Sequence, residues 1–144
     1  MTESEKVLIS IIGNPSNYRD AKYHYKDHEK VSKFSSLAIL DAEKPDKKVL
    51  IGQYTLATKG QSFDDIVNDS KNMITTNIPE AKDFDIIISP GVFYAIDRTN
   101  KVFSFKGEIY NFYAYTLYKL AKVLEGIDKD LEVILDLTHG INYT

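Results

Sequence analysis

The sequence predicts an α/β fold: a Rossmann-like, doubly wound parallel sheet with helices on both faces. Apolar runs rich in β-branched residues alternate with segments whose apolar residues recur at three- and four-residue steps. The order is strand, helix, strand, helix, strand, helix, strand, which is typical of parallel strands joined by right-handed crossovers. The apolar runs are too short for surface helices and suit buried strands; they lie at residues 7–12, 48–54, 84–88 and 131–136.

The first half of the chain also contains a hairpin and a short helix. Residues 7–12 are almost entirely Val, Leu and Ile, which favours the middle of the sheet. In residues 21–30 tyrosines alternate with charged side chains, as in an exposed strand or hairpin. Apolar residues from Phe34 to Leu40 predict an amphipathic helix that stops before Pro45, because the residue preceding a proline resists the α conformation.

Two further helices are predicted in the second half. Ser62, with Asp65 three residues later, resembles a capping box and opens the first of them, which ends by Pro79. The second and longest helix spans residues 108–124. Gly126 is placed to cap it in the left-handed conformation.

The remaining elements of the second half are a small hairpin and the last strand. Residues 92–96 and 102–105 are expected to pair around the turn at residues 97–100. Val133, Ile134 and Leu135 are three consecutive apolar residues. We therefore expect the last strand to be central and covered on both faces.

Composition limits the functions that fit this fold. A chain of 144 residues that is 43% hydrophobic is about one globular domain. A formal net charge of -3 argues against a general nucleic-acid binder, so an anion site must use backbone amides and neutral side chains. The absence of cysteine excludes disulfides and thiolate metal sites. Because the polar N-terminus lacks a signal-peptide layout and no apolar run matches a membrane span, we expect a cytoplasmic protein.

Polar, turn-forming residues follow the first and the last strand. The first loop (residues 13–17) reads GNPSN, and the last loop (residues 138–142) reads THGIN. Carboxyl ends of parallel strands share one edge of the sheet, and ligands of open α/β sheets bind there. The two glycines, Gly13 and Gly140, would let the backbone approach an anion closely. Alone, the first loop would be an ordinary turn, but the pair predicts one ligand site.

These loops carry a resemblance to a known family. The run from Asp136 to Asn142 is similar to the motif of CARF domains, the CRISPR-associated Rossmann fold of Csx-type ancillary ribonucleases in type III CRISPR systems. The run from Ile12 to Tyr18 resembles the loop after the first strand in that family. A weaker match is Phe105-Lys106-Gly107 followed by an aromatic helix. The matches span nearly the whole chain in the expected order.

The resemblance implies that residues 1–144 are a nucleotide-sensing domain whose partner is a cyclic oligoadenylate, foremost cyclic tetra-adenylate. A phosphate ring with twofold symmetry suits a homodimer. The ring would allosterically activate a HEPN-type endoribonuclease domain in antiviral defence. RNA would be bound only through that ribonuclease domain. We expect this sequence to lack both the ribonuclease domain and the C-terminal part of the CARF domain. No catalytic residue, metal or cofactor is implied; the implied ligand-binding residues are Gly13, Asn14, Ser16, Asn17, Thr138, His139, Gly140 and Asn142.

Two alternatives remain open at this point. Some CARF proteins are ring nucleases that cleave their own activator; here His139 could serve as acid or base while Ser16 positions the ring. Neither loop contains a Lys or Arg to stabilise the developing charge, which argues against this interpretation. The other alternative is a flavodoxin-like scaffold that binds a mononucleotide or nothing, with Thr138 and Asn142 as helix N-caps.

Two histidine patterns in the first half are interpreted as chance. Arg19 and His24 have the spacing of the HEPN ribonuclease motif, but that motif belongs on a helix and this segment is predicted to be extended. His24 and His28 have a metal-binding spacing only on a helix, and no third histidine or cysteine lies nearby.

Overall fold

The computed structural model describes residues 4–90, 93–96, 102–105 and 108–139. Within these ranges it contains eight strands and three α-helices, which confirms the α/β class. In chain order they are β1 (Ser4–Ile11), β2 (Ala21–Tyr25), β3 (His28–Ser32), α1 (Ser36–Glu43), β4 (Lys47–Gln53), α2 (Phe63–Asn77), β5 (Asp85–Ser89), β6 (Phe93–Ile96), β7 (Val102–Phe105), α3 (Ile109–Val123) and β8 (Asp130–Asp136).

A four-stranded parallel sheet forms the centre of the described structure. Its strand order is β5-β4-β1-β8, so β1 lies between β4 and β8. The register pairs Ser10 of β1 with Asp136 of β8. The loops that follow these two strands therefore start side by side, at the carboxyl edge of the sheet.

The sheet carries helices on both faces, as predicted. One face, the α1–α2 face, contains alternate strand residues such as Leu8, Leu50 and Ile88, which pack in one core with side chains of α1 and α2. The other face, the α3 face, contains the residues between them, and these pack against Phe112 of α3. The alternation follows from the two-residue period of a strand; the buried strand residues on the α3 face are Val7, Val49, Ile51 and Ile87.

The prediction that the last strand is central was wrong. β8 is the outermost strand of the described sheet and pairs there with β1. Its Ile134 packs against the core of the α1–α2 face, but on the α3 face Val133 is 52% and Leu135 is 53% exposed. Three consecutive apolar residues predict burial on both faces, yet among the described elements only the α1–α2 side of β8 is covered.

The other predicted elements are confirmed where the structure describes them. β2 pairs antiparallel with β3, and β6 with β7. Ser62 accepts a hydrogen bond from the Asp65 N–H (3.1 Å), but the Asp65 carboxylate accepts from Gln61 instead of Ser62, so only half of the capping box forms. Gly126 has φ 84°, the predicted left-handed conformation.

The prediction of a single longest helix was wrong, because α2 and α3 both contain 15 residues. No α-helix in the described ranges has the length and apolarity to cross a bilayer. Predictions for the turn at residues 97–100, for Gly91, Val92, Lys106 and Gly107, and for residues 140–142 fall outside the described residues.

Glu43 at the end of α1 joins the helix to β1 and to the β2–β3 hairpin. Its carboxylate contacts the ammonium groups of Lys6 (2.7 Å) and Lys26 and accepts a hydrogen bond from the Tyr25 hydroxyl (2.9 Å). Only 6% of the Glu43 side chain is exposed. The hydrogen bonds from Lys26, Lys6 and Tyr25 lower the pKa of Glu43 to about 2.

This carboxylate should make the protein sensitive to acid. Because the pKa of Glu43 is lower in the folded state, its stabilisation is complete above its ordinary pKa of 4.5 and is lost as pH falls towards 2. We expect Glu43→Gln to lower the melting temperature at pH 7 and to weaken its pH dependence between pH 4.5 and 2. Glu29→Gln is the control, because Glu29 lies on the β2–β3 hairpin and its side chain is 47% exposed. Equal acid dependence in Glu43→Gln and the unmodified protein would contradict this assignment.

Candidate functional site

The first loop is held closed by its own side chains. Residues Pro15–Asn17 form one turn of 3-10 helix. The Asn14 side-chain oxygen accepts hydrogen bonds from the N–H (3.0 Å) and the hydroxyl (2.7 Å) of Ser16. The Tyr18 hydroxyl accepts a hydrogen bond from the Gly13 N–H (2.8 Å), which ties the two ends of the loop together. Asn14, Ser16 and Asn17 are exposed.

Asp136, at the end of β8, is a buried carboxylate that holds the start of α1. Its Oδ2 accepts hydrogen bonds from the hydroxyls of Ser35 (2.7 Å) and Ser36 (2.6 Å), and its Oδ1 accepts from the N–H (3.0 Å) and hydroxyl (2.6 Å) of Thr138. Burial opposes ionisation, but the hydrogen bonds from Ser36, Thr138 and Ser35 outweigh it and keep the pKa of Asp136 below its ordinary value. Asp136 is therefore charged at neutral pH.

His139 is fixed between the first loop and α1. Its Nε2 accepts a hydrogen bond from the Ser35 backbone N–H (3.1 Å). The ring stacks on Tyr18, with ring centroids 4.1 Å apart, and meets the edge of Tyr23 at 6.0 Å. Burial lowers the pKa of His139, against the opposing effect of the Asp136 charge. The imidazole is therefore neutral near pH 7, and because Nε2 is an acceptor, the proton lies on Nδ1.

The structure brings the described parts of the two loops together. A Cβ atom built on Gly13 would lie 3.9 Å from the carbonyl oxygen of His139 and 3.7 Å from the Tyr18 hydroxyl. The first loop therefore lies next to Thr138 and His139, as their shared sheet edge predicts. Gly140 and Asn142 lie outside the described residues, so their part in the site stays a prediction.

Several predicted donors already donate inside the protein. Both donor groups of Ser16 point to Asn14. The Thr138 hydroxyl donates to a charged carboxylate, so its oxygen can only accept from a ligand, for example from a ribose hydroxyl. The side-chain donors left for an anion among the described residues of the two loops are the amides of Asn14 and Asn17 and the Nδ1–H of His139. All three are neutral.

Sequence reasoning missed the residues that support the last loop. Ser35 and Ser36 start α1 and bind Asp136, a contact across 101 and 100 positions of the chain. The Ser-Ser pair before an apolar helical segment was a visible cap signal, but its partner on β8 was not. Tyr18 was part of the recognised loop motif, yet its stacking on His139 could not be read from the sequence.

The structure places neither of the two rejected histidine patterns on a helix. Arg19 precedes β2, and His24 lies on β2, where its Nδ1 is 3.2 Å from Glu29. A strand does not give the helical geometry that the HEPN motif needs. Among the described residues, no group of three or more His, Asp or Glu could hold a metal ion.

The fold and the two loops define a Rossmann-like α/β domain with a polar site at the carboxyl edge of its sheet. Residues 7–144 match the family described as the CARF domain of CRISPR system endoribonuclease Csx1. The chain belongs to this family and is a CRISPR-associated regulatory domain. It is 39% identical over 146 residues to CRISPR system endoribonuclease Csx1 from Methanocaldococcus jannaschii; the alignment covers 96% of this chain and 30% of that protein.

Proposed function

We propose that this domain senses a cyclic oligoadenylate, foremost cyclic tetra-adenylate, and regulates a CRISPR-associated ribonuclease in antiviral defence. The observation that carries the proposal is the stacking of Tyr18 on His139, with ring centroids 4.1 Å apart, which joins the two loop motifs that the family resemblance assigns to the ligand. The ligand-binding residues proposed are those predicted from the sequence, from Gly13 to Asn17 and from Thr138 to Asn142.

The chemistry of the described residues supports a nucleotide ring. The amides of Asn14 and Asn17 and the Nδ1–H of His139 would donate to phosphate oxygens, while the Thr138 oxygen would accept from a ribose hydroxyl. The start of α1 is already occupied by the Asp136 carboxylate, so a phosphate would bind above the loops and not at this helix terminus. A ring with twofold symmetry would be shared by the same loops of two chains, which form a homodimer in this proposal.

A thermal-shift comparison tests the proposed function. Cyclic tetra-adenylate should raise the melting temperature, and the shift should grow with the logarithm of its concentration above the Kd, because it binds the folded state alone. Adenosine monophosphate at the same adenine concentration is the control, and it should give little shift because it lacks the ring. Equal shifts by the two nucleotides would favour the mononucleotide scaffold, and no shift by either would contradict ligand sensing.

Gly13→Ala separates ligand approach from folding. The added Cβ would make only ordinary contacts of 3.7 and 3.9 Å, so we expect the melting temperature to change by about 1 °C or less. We expect binding of cyclic tetra-adenylate to weaken by about tenfold, because the methyl group would enter the junction of the two loops to which the proposal assigns the ligand. Isothermal titration calorimetry measures this, and unchanged affinity would remove Gly13 from the site.

Incubation with cyclic tetra-adenylate distinguishes the sensor from a ring nuclease. The sensor returns the ring intact, whereas a ring nuclease yields linear products. The structure gives less support to the nuclease, because the Nε2 of His139 is already bonded to the Ser35 N–H and is not available as a base.

A further inference from the structure

The β2–β3 hairpin brings a tyrosine to the candidate site. Tyr23 lies in the middle of β2, where it pairs with Lys30 of β3. Its ring meets the His139 ring with centroids 6.0 Å apart and an interplanar angle of 75°. Since Tyr18 stacks on the same imidazole at 4.1 Å, the hairpin and the first loop motif both contact the last loop through His139.

Tyr23 shares its face of the hairpin with Tyr25. Both are half-buried, whereas the residue before each of them is exposed, as the two-residue period of a strand requires. The Tyr25 hydroxyl donates to Glu43 at the end of α1 (2.9 Å). Tyr23 instead contacts His139, whose Nε2 accepts from the Ser35 N–H at the start of α1. The two tyrosines therefore have similar positions on β2 but different neighbours.

The hydroxyl of Tyr23 has no hydrogen-bond partner among the residues that the structure describes. The hydroxyl of Tyr25 already donates to Glu43, and that of Tyr18 accepts from the Gly13 N–H (2.8 Å). Tyrosine hydroxyls that are taken out of water usually have a partner. An unpartnered phenol beside His139 is therefore a donor that is available to a bound molecule.

This hydroxyl keeps its proton at neutral pH. Burial, and then the negative charge of Asp136, raise the pKa of Tyr23 above its ordinary value of 10.0. The same charge acts on the Tyr18 hydroxyl, so both phenols lie in the electrostatic neighbourhood of Asp136. Tyr23 is thus a neutral donor, like the side-chain amide of Asn14 and the Nδ1–H of His139.

We propose that Tyr23 is a further ligand-binding residue, whose hydroxyl donates a hydrogen bond to a phosphate oxygen of the cyclic nucleotide. This assignment rests on the proposed function, because it needs an anionic ligand on the two loops. The hairpin then forms a third side of the site, next to the first and last loops. Hydrogen bonds to an ionised acceptor are about twice as strong as those between neutral groups, so the loss of this single contact is measurable.

Tyr23→Phe tests the assignment, because it removes the hydroxyl and keeps the ring beside His139. Isothermal titration calorimetry should show that affinity for cyclic tetra-adenylate falls by about tenfold or more. The melting temperature without ligand should change by about 1 °C or less, since the hydroxyl has no partner in the described protein. Tyr25→Phe is the matched control on the same face of β2. It loses the hydrogen bond to Glu43 and should lower the melting temperature by about 2 °C or more, with unchanged affinity.

A spectroscopic measurement locates the contact independently of affinity. Protein labelled with 3-fluorotyrosine contains 10 fluorinated rings, and the fluorine resonance that is missing from Tyr23→Phe belongs to Tyr23. Saturating cyclic tetra-adenylate should shift this resonance, whereas the resonance missing from Tyr25→Phe should stay in place. An unshifted Tyr23 resonance at saturation would rule out the contact.

The outcomes separate this assignment from the proposed function. If Tyr23→Phe binds the ring as tightly as the unmodified protein does, the role of Tyr23 is overturned and the sensor proposal stands. If Tyr23→Phe lowers the melting temperature as much as Tyr25→Phe, the hydroxyl stabilises the fold, which also overturns the assignment. If the unmodified protein does not bind the ring, the sensor proposal is contradicted and the role of Tyr23 falls with it.

Discussion

Replacing Asp136 with alanine is expected to lower the free energy of unfolding by about 2–4 kcal/mol. The carboxylate accepts four hydrogen bonds at the joint between β8, the last loop and α1, and the residue is only 4% exposed. Its removal would leave the hydroxyls of Ser35 and Ser36 without this acceptor in a buried place. Urea unfolding followed by circular dichroism measures the loss.

Two further variants show how much of this loss of stability comes from the hydrogen bonds of Asp136, and not from its charge or from a substitution in β8 as such. Asp136→Asn keeps one acceptor oxygen and the shape of the side chain, so we expect it to cost about 1 kcal/mol less than Asp136→Ala. Asp130→Ala removes an exposed carboxylate from the first residue of β8 and should change stability by about 0.5 kcal/mol or less. If Asp136→Ala were as stable as Asp130→Ala, the joint would not depend on this residue.

The second large effect concerns His139 and ligand affinity. If the ring spans a dimer, two His139 side chains contact it, and each hydrogen bond to a charged phosphate is worth about 1.5–3 kcal/mol. His139→Ala should therefore weaken binding of cyclic tetra-adenylate by at least about 100-fold. Isothermal titration calorimetry measures the affinity, and His28→Ala, an exposed hairpin histidine, is the control.

Amide substitutions of His139 separate its two nitrogens. Asn places a donor near the position of Nδ1 but cannot reach the Ser35 N–H, whereas Gln places an acceptor near Nε2 and lacks the Nδ1 donor. Since the ring nitrogen proposed to face the ligand is Nδ1, His139→Asn should retain more affinity than His139→Gln, and His139→Gln should retain more stability. The opposite order of affinities would mean that the imidazole acts only through its contact with α1.

Much of the fold could be predicted because its signals are local. The strands, the hairpins and the capped start of α2 each depend on neighbouring residues, and the structure has them where they were expected. The position of β8 could not be predicted, because whether Val133 is covered depends on elements far away in the sequence. A run of apolar residues shows that the side chains of a strand are apolar, but it does not show which other elements cover them.

The location of the candidate site could be predicted from the sequence, but the contacts within the site could not. Parallel strands bring their carboxyl ends to one edge, so both loops were expected at that edge. That Gly13 and His139 lie close together depends on the pairing of β1 with β8, which only the structure shows. The sequence did not reveal that Asn14 and Asp136 already accept from Ser16 and Thr138. These hydrogen bonds depend on side-chain geometry, and they change which groups can donate to a ligand.

The most direct test of the central claim, that both loops contact one cyclic nucleotide, is a calorimetric titration with cyclic tetra-adenylate. The unmodified protein should bind one ring per two chains. Asn17→Ala in the first loop should weaken binding by about tenfold or more, and His139→Ala in the last loop by at least about 100-fold. Asn72→Ala on the exposed side of α2 should leave binding unchanged. Absence of binding to the unmodified protein, or affinity that depends on one loop only, would contradict the account.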